Sequence, residues 1–408
     1  MTVRDRRLKV LVLTSTFPRW QGDTCPMFVA DLCRGLAQSM DVTVLAPGSH
    51  RAASVEQRDG YTVRRFRYAW PSRLQRLADG AILPNIKRNP LLLAQVPPFV
   101  LAQLIAAYRL MRRERFDAIH AHWAVPQGVV ASILKRRFGV PVITTTHGGD
   151  IYALNGGPAR RAKTWALRTS DHVTAVSSAL KSDVVALGID ERRIDVLPMG
   201  VDTTRFTPQA FSPALRAHLN PLGPVLLFVG RLVEKKGARY AIEAMPRIVA
   251  EQPDARLIVV GEGPERDALE RLKRELGVDA NVTFVGAVAN ADLPAYYASA
   301  DLFIGPSIVE SNGDTESFGV VFAEAMASGC PVIATDAGGI GDVTGNGAYA
   351  RIVPQRDAAA IAGAACELLG DRALHAELRE RGIEEMRRSF DHRPIHQSYA
   401  RLIERAAA

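Results

Sequence analysis

Two glutamates, Glu316 and Glu324, stand eight positions apart in "ESFGVVFAE", within an apolar segment that runs on into the glycines of "TDAGG". A carboxylate accepts several hydrogen bonds, which suits sugar hydroxyls. Phe318, Gly319 and Val320 lie between the two, where the pattern predicts the start of a helix. Free N–H groups and the helix dipole at such a start attract phosphate or sugar oxygens. Glu316 then falls just before the helix, near a bound sugar, and Glu324 in its early turns, near a ribose. Capping and dipole compensation explain one glutamate at a helix start equally well; they account for Glu316 better than for Glu324. In "FVGRLVEKKG", Arg231 and Lys236 follow an apolar run beside Gly230 and Gly237. Arginine binds phosphate as a fork and lysine as a point charge, so the pair suits a diphosphate. Two solvated cations after a strand would look the same. "VVGEGP" places Gly261, Glu262 and Gly263 after another apolar run. Glycines there let a planar group approach the backbone; a plain tight turn is the simpler alternative. The motif is not G-x-G-x-x-G, and none follows Val12 or Val229, which argues against a dinucleotide oxidoreductase.

The first half carries a second group. "STFPRWQGDTCPMFV" reads as a long loop after the first strand, with Gly22 near its tip. "HAHW" sets His120 and His122 at alternate positions, hence on one face of a strand end. A metal site needs a third ligand, so strand-end histidines are the plainer reading and no metal is expected. "THGGD" puts His147, Gly148, Gly149 and Asp150 directly after an apolar strand.

Short apolar runs separated by helical patterns must position these groups. "KVLVLTS", "DVTVLAP", "FDAIHAH", "PVITTTH", "HVTAVS" and "IDVLPMG" punctuate the first half; "VLLFVGR", "RLIVVGEG", "NVTFVGA", "DLFIGPS" and "PVIATDA" punctuate the second. Such runs alternating with helices predict α/β architecture with parallel, doubly wound sheets. "YTVRRFRY" alternates and is basic, which predicts an exposed or edge strand. Ligands of open parallel sheets bind beyond the carboxyl ends of the strands, and the informative residues all follow strands. The Pro- and Thr-rich stretch 201–224 marks a boundary. It gives a Rossmann-like domain over 1–205, a second over 206–386, and a terminal helix over 387–408 that packs back on the first.

The chain has 408 residues, enough for two domains. Hydrophobic residues at 47% and charged residues at 23% form a globular balance that argues against long disorder. The net charge of +8 favours acidic partners: nucleotide phosphates, anionic lipid or nucleic acid. No aromatic–basic stacking platform supports nucleic acid, so none is expected as a partner. Four cysteines without a CxxC pair point to a reduced, cytoplasmic setting. "MTVRDRRLKVLVLTST" is charged, then apolar, but the short run leads into a turn, which predicts a strand rather than a signal peptide. Leu91 to Tyr108 is apolar yet interrupted by Gln95, Pro97, Pro98 and Gln103, which predicts a helix of a soluble protein. The arginines of 51–115 read either as a solvated face or as a functional surface.

With these residues in place, the chain resembles glycosyltransferase family 4. "ESFGVVFAE" followed by "AMASGCPVIATDAGG" looks like the family's E-x7-E signature, and "VGRLVEKKG" like its diphosphate motif. "LPMGVDTTRF", "DAIHAHW" and "THGGDI" are similar to its linker and N-terminal segments. The motifs come in the family's order over nearly the whole chain. The resemblance implies a GT-B fold, with two Rossmann-like domains facing a central cleft. It implies retaining transfer from a UDP- or GDP-sugar to a glycan, lipid-linked or small-molecule acceptor. Arg231 and Lys236 take the diphosphate, Glu316 the sugar and Glu324 the ribose. Gly261, Glu262, Gly263, Phe318, Gly319 and Val320 complete the donor side. The same resemblance brings Gly22 to the donor phosphate and sugar, His147 beside the reacting sugar, and His122 and Asp150 to the acceptor or sugar side. It requires no metal or other cofactor. Ser317 departs from the pattern, where members usually carry glycine on the turn facing the sugar. Two other readings compete: a non-catalytic nucleotide-sugar-binding protein, disfavoured by the retained Glu and Arg/Lys pairs, and a sugar-nucleotide epimerase, disfavoured by the Phe-Gly-flanked glutamates. The expected setting is cytoplasmic, with peripheral contact at the inner membrane face through residues 51–115.

Overall fold

In the computed structural model, which describes residues 6–20, 22–23, 25–153 and 156–408, the apolar runs become strands, the central ones covered on both faces. The described part of the N-terminal segment leads into β1 (Lys9–Leu13), the first strand. β2 (Asp41–Pro47), β3 (Val55–Arg58), β4 (Tyr61–Phe66), β5 (Ala118–His122), β6 (Val142–Thr146), β7 (His172–Ala175) and β8 (Ile194–Val196) complete its sheet. The order is β3-β4-β2-β1-β5-β6-β7-β8. All neighbours are parallel except β3 and β4. The basic segment "YTVRRFRY" is therefore not an edge: β4 lies between β2 and β3, and "VEQR" forms the edge. Its alternation has another cause. Arg65 points inward, is buried, and pairs with Glu56 at 2.8 Å while donating to the Pro18 carbonyl at 2.7 Å.

The second sheet contains β9 (Val225–Val229), β10 (Arg256–Val260), β11 (Val282–Gly286), β12 (Leu302–Gly305), β13 (Val332–Thr335) and β14 (Arg351–Val353). It is wholly parallel, in the order β11-β10-β9-β12-β13-β14. Its core is built from Leu226, Phe228, Leu257, Ile304 and Ile333 against the helix Ala238–Glu251, whose Ala241, Ile242, Met245 and Ile248 are buried.

Each sheet belongs to its own unit. One comprises the chain up to Met199 with His392–Ala408; the other is Gly200–Asp391. The terminal helix His392–Ala407 is part of the first unit, where Tyr399 is fully buried and donates to the Leu197 carbonyl at 2.9 Å. The helix Val96–Arg113 also lies on the first sheet, burying Phe99, Gln103, Ala107, Leu110 and Met111. In each sheet the strand order reverses once, between β1 and β5 and between β9 and β12. Such switch points open a crevice at the carboxyl ends, where doubly wound sheets bind ligands.

Candidate active site

In the second unit, the loops after β9, β10 and β12 carry the predicted donor residues. Arg231 follows β9, and its guanidinium forms no hydrogen bond or ion pair among the described residues. Partial desolvation pulls it below its usual range. A cation left unpaired at a switch point is ready for an anion. Lys236 ends the same loop and forms an ion pair with Glu316. Burial alone would push the Glu316 carboxyl up; Lys236 and Lys235 instead hold it below the usual carboxylate range. Gly319 has φ +83° and caps the helix Val320–Ala327; a Cβ there would collide with the Phe322 ring. Only glycine is at ease in that conformation. Phe318 is buried and stacks on Phe390, with ring centroids 5.8 Å apart. Glu324 is half-buried and accepts a hydrogen bond from the Tyr297 hydroxyl at 2.9 Å. Ser317 has no positive φ, so a residue other than glycine carries no backbone strain there.

Gly261 and Gly263 have a task the motif does not reveal. A Cβ at Gly261 would collide with the Gly230 carbonyl, and one at Gly263 with that of Leu232. Leu232 N–H donates to the Glu262 carbonyl at 3.0 Å, and Gly230 N–H to that of Val260 at 3.0 Å. The two glycines let the β9 and β10 loops lie against each other, which fixes Arg231. The Glu262 side chain is exposed.

In the first unit, the loops after β1 and β6 and the carboxyl end of β5 carry the remaining residues. Gly22 has φ +80° and open space around it; Gln21 and Thr24 of the same loop lie outside the described residues. Arg19 shapes this loop. It bonds both Asp23 oxygens at 2.9 Å and reaches Asp79 at 2.9 Å. His120 and His122 share a strand face, with ring centroids 4.4 Å apart. His122 Nδ1 lies 3.0 Å from His147 Nε2, and His120 Nε2 lies 2.7 Å from Thr145 Oγ1. Burial holds both His120 and His147 down at about 3, and His122 well below its usual value. All three rings are therefore neutral at physiological pH. Among the described residues no cluster has the makings of a metal site.

Asp150 is buried, and its oxygens are occupied by backbone: Oδ2 accepts from Ala124 N–H at 2.7 Å and Oδ1 from His147 N–H at 3.0 Å. The carboxylate thus ties the β5 and β6 loops together and fixes His147. Lys163, also buried, secures the following turn by donating to the Ile151 and Ala153 carbonyls at 2.7 and 3.3 Å.

Sequence reasoning missed several supporting residues. Lys235 anchors the loop before Glu316, its ammonium reaching Asp314 at 2.9 Å and the Thr315 carbonyl at 3.3 Å. It stands beside Lys236 in "EKKG", and both lysines reach the same loop, Lys235 at Asp314 and Thr315 and Lys236 at Glu316. Tyr297 and Lys163 had no motif to mark them. Trp123 holds φ +73°, unusual for a bulky residue, and its ring centroid lies 4.6 Å from that of His147.

Comparison with known proteins bears on this arrangement. Residues 27–205 match the model of Glycosyltransferase Family 4, and residues 216–387 that of Glycosyl transferases group 1. A GDP-mannose-dependent alpha-(1-6)-phosphatidylinositol monomannoside mannosyltransferase of Mycobacterium tuberculosis is 34% identical over 270 residues, covering 65% of this chain and 69% of that one. The chain belongs to glycosyltransferase family 4. As a member it is a retaining hexosyltransferase with the GT-B fold. N-acetyl-alpha-D-glucosaminyl L-malate synthase of Bacillus anthracis is 27% identical to this family 4 enzyme, over 83% of this chain and 88% of that one. Sucrose-phosphate synthase from Thermosynechococcus elongatus shares the fold with a TM-score of 0.79 at 23% identity, covering 98% of this chain and 99% of that one. Anabaena HepE, solved in complex with UDP and glucose, does so at 0.74 and 21%, covering 98% and 100%.

Proposed function

We propose that the enzyme moves a hexosyl group, with retention, from a UDP- or GDP-sugar bound on the second unit to a hydroxyl of a lipid-linked acceptor at the cytoplasmic face of a membrane. The observation that carries the donor assignment is the gathering of Arg231, Lys236, Glu316 and Glu324 at one sheet edge, with Arg231 unpaired among the described residues. The mannosyltransferase relatives, which by name act on phosphatidylinositol mannosides, support the acceptor class. A small hydroxy acid is a second reading, favoured by the malate-synthase relative.

In this reading Arg231 and Lys236 stabilise the departing diphosphate, helped by the amides at the start of Val320–Ala327. Glu316 accepts from a sugar hydroxyl and keeps Lys236 in place, while Glu324, oriented by Tyr297, holds the ribose. The sugar–phosphate bond breaks as the acceptor oxygen bonds the anomeric carbon on the same face. The acceptor's proton goes to the departing phosphate oxygen. His147, neutral and fixed by Asp150 and His122, positions the sugar or acceptor without gaining or losing a proton.

A thermal-shift panel of nucleotide-sugars tests the reading. A ligand at about a hundred times its Kd stabilises the folded protein by about 2.7 kcal/mol, so one UDP- or GDP-sugar should stand out. That sugar should be transferred with its anomeric configuration kept. No response to any such sugar, or an inverted product, overturns the proposal.

A further inference from the structure

We infer that the first unit docks on an anionic lipid bilayer through a defined face built from the turns around Trp70 and Leu91 and the outer stripe of the helix Val96–Arg113. The inference deepens the membrane-side acceptor proposed above and rests on that reading for its purpose, though not for its observations.

Twelve large hydrophobic side chains are exposed among the described residues, and six of them fall between residues 70 and 105. Trp70 is 86% exposed, Leu91 82%, Leu93 60% and Leu101 57%; Leu74 and Ile105 complete the set. They belong together in space as well as in sequence. Gln95, at the end of the 3-10 turn Pro90–Gln95 that carries Leu91 and Leu93, donates to the Leu74 carbonyl at 2.9 Å. Asn85 of the helix Ile82–Arg88 donates to the Arg76, Leu77 and Asp79 carbonyls at 3.2, 3.1 and 2.8 Å. The two turns therefore sit side by side, with Lys87 and Arg88 ending the helix between them.

The helix that follows is unusual on its outer side. Its exposed positions include Pro98, Leu101, Ile105, Arg109 and Arg112, at steps of three or four residues, so they form one stripe. A helix packed on a sheet normally turns polar residues outward. Here the outer stripe is apolar for two turns and then wholly arginine. Pro90–Arg113 has the length and composition of a membrane-crossing helix. Yet Phe99, Gln103, Ala107 and Leu110 are packed into the first unit, so it lies along that unit's surface.

Charge decides what covers the face. From Arg67 to Arg113 there are eight basic residues and one acid, Asp79, which is already engaged by Arg19 at 2.9 Å. Arg73, Arg76, Lys87, Arg88 and Arg109 have no carboxylate partner among the described residues. A second copy of the chain, meeting this face about a two-fold axis, would bring two cationic rims together. An apolar centre with a one-sign cationic rim matches the boundary of an anionic bilayer, where apolar side chains enter the acyl region and lysine and arginine meet the headgroups. Trp70 suits the interface, since an indole is apolar in body and polar at its N–H.

Sedimentation with vesicles tests this directly. The intact protein should bind vesicles of phosphatidylglycerol mixed with phosphatidylcholine and not those of phosphatidylcholine alone. Binding should fall as salt rises from about 0.05 to about 0.5 M, where charges are screened within a few ångströms. Lys87→Glu/Arg88→Glu should weaken binding by about tenfold or more, and Leu91→Ser/Leu93→Ser comparably. Vesicles should shift Trp fluorescence to the blue in the wild type and much less in Trp70→Phe. The nucleotide-sugar thermal shift, measured on every variant, establishes that each folds and that the donor site works. Absence of vesicle binding, or binding that both double variants retain, overturns the face and leaves the transferase reading standing. A wild-type dimer that Leu91→Ser/Leu93→Ser dissociates also overturns it, in favour of a second copy.

Discussion

Asp150→Asn separates two roles that a carboxylate beside a reacting sugar can play. Asp150 accepts from Ala124 N–H at 2.7 Å and from His147 N–H at 3.0 Å, one bond to each oxygen. Asparagine keeps one acceptor and turns an amino group on the other N–H. One charge-assisted bond is lost outright, and the remaining one loses its charge. Hydrogen bonds to charged groups contribute about 1.5–3 kcal/mol, so the net destabilisation should be about 2–3 kcal/mol. For a unit of this size that is a fall in melting temperature of about 5–10 °C. Buried Lys163 also loses its nearby negative charge, which acts in the same direction. Because the bond to His147 N–H places that residue, turnover should drop too; a displacement near 1 Å costs about a hundredfold. Calorimetric melting and steady-state transfer, measured on the same preparation, decide the matter. Unchanged melting, with near-complete loss of turnover and a glycosyl–Asp150 adduct in the wild type by mass spectrometry, would make Asp150 a nucleophile and refute the clamp.

His147 is held at about 3, so the wild-type pH–rate profile should lack a limb near the ordinary histidine value of about 6.5, and His147→Gln should keep measurable transfer; a limb there that the variant loses would contradict this. Since His120 and His147 sit below their unfolded values, the unfolded chain takes up protons first on acidification, and the first unit should lose stability progressively below about pH 6.5, as read by melting against pH. Glu316→Gln frees Lys236 and, on the proposed roles, removes a contact to the sugar: turnover should fall by about 10²–10³-fold, while calorimetric affinity for free UDP or GDP holds or tightens. Weaker nucleotide binding in that variant would count against the assigned roles. Transfer should survive excess EDTA if Arg231 and Lys236 supply the charge stabilisation as proposed; activity restored only by added divalent metal would show otherwise.

What the sequence disclosed divides along physical lines. "VLLFVG" was readable as β9 because a strand covered on both faces must be apolar throughout, and the residues that follow such strands were readable with it. β3 and β14 were not, because "VEQR" and "RIV" carry no such run: β3 has no buried residue and β14 only one. The basic alternation of "YTVRRFRY" misled because Arg65 is buried against Glu56, a partner brought in by antiparallel pairing rather than by any local pattern. At the candidate site, residue types singled out Arg231, Lys236, Glu316 and Glu324, the residues on which the proposal rests. Long-range bonds such as Tyr297 to Glu324, Lys235 to Asp314 and Asp150 to Ala124 left no trace in spacing. Gly261 and Gly263 looked like room for a ligand, whereas the space beside them is filled by the carbonyls of Gly230 and Leu232.

The central claim is that the donor is gripped by the edge of the second sheet, through Lys236 on its diphosphate and Glu324 on its ribose. Isothermal titration of the nucleotide-sugar selected by the thermal-shift panel, into the wild type, Lys236→Ala and Glu324→Ala, tests it most directly. Each variant removes one charge-assisted contact, which should weaken binding by about ten- to a hundredfold, with circular dichroism unchanged. Wild-type affinity in both variants would contradict the account.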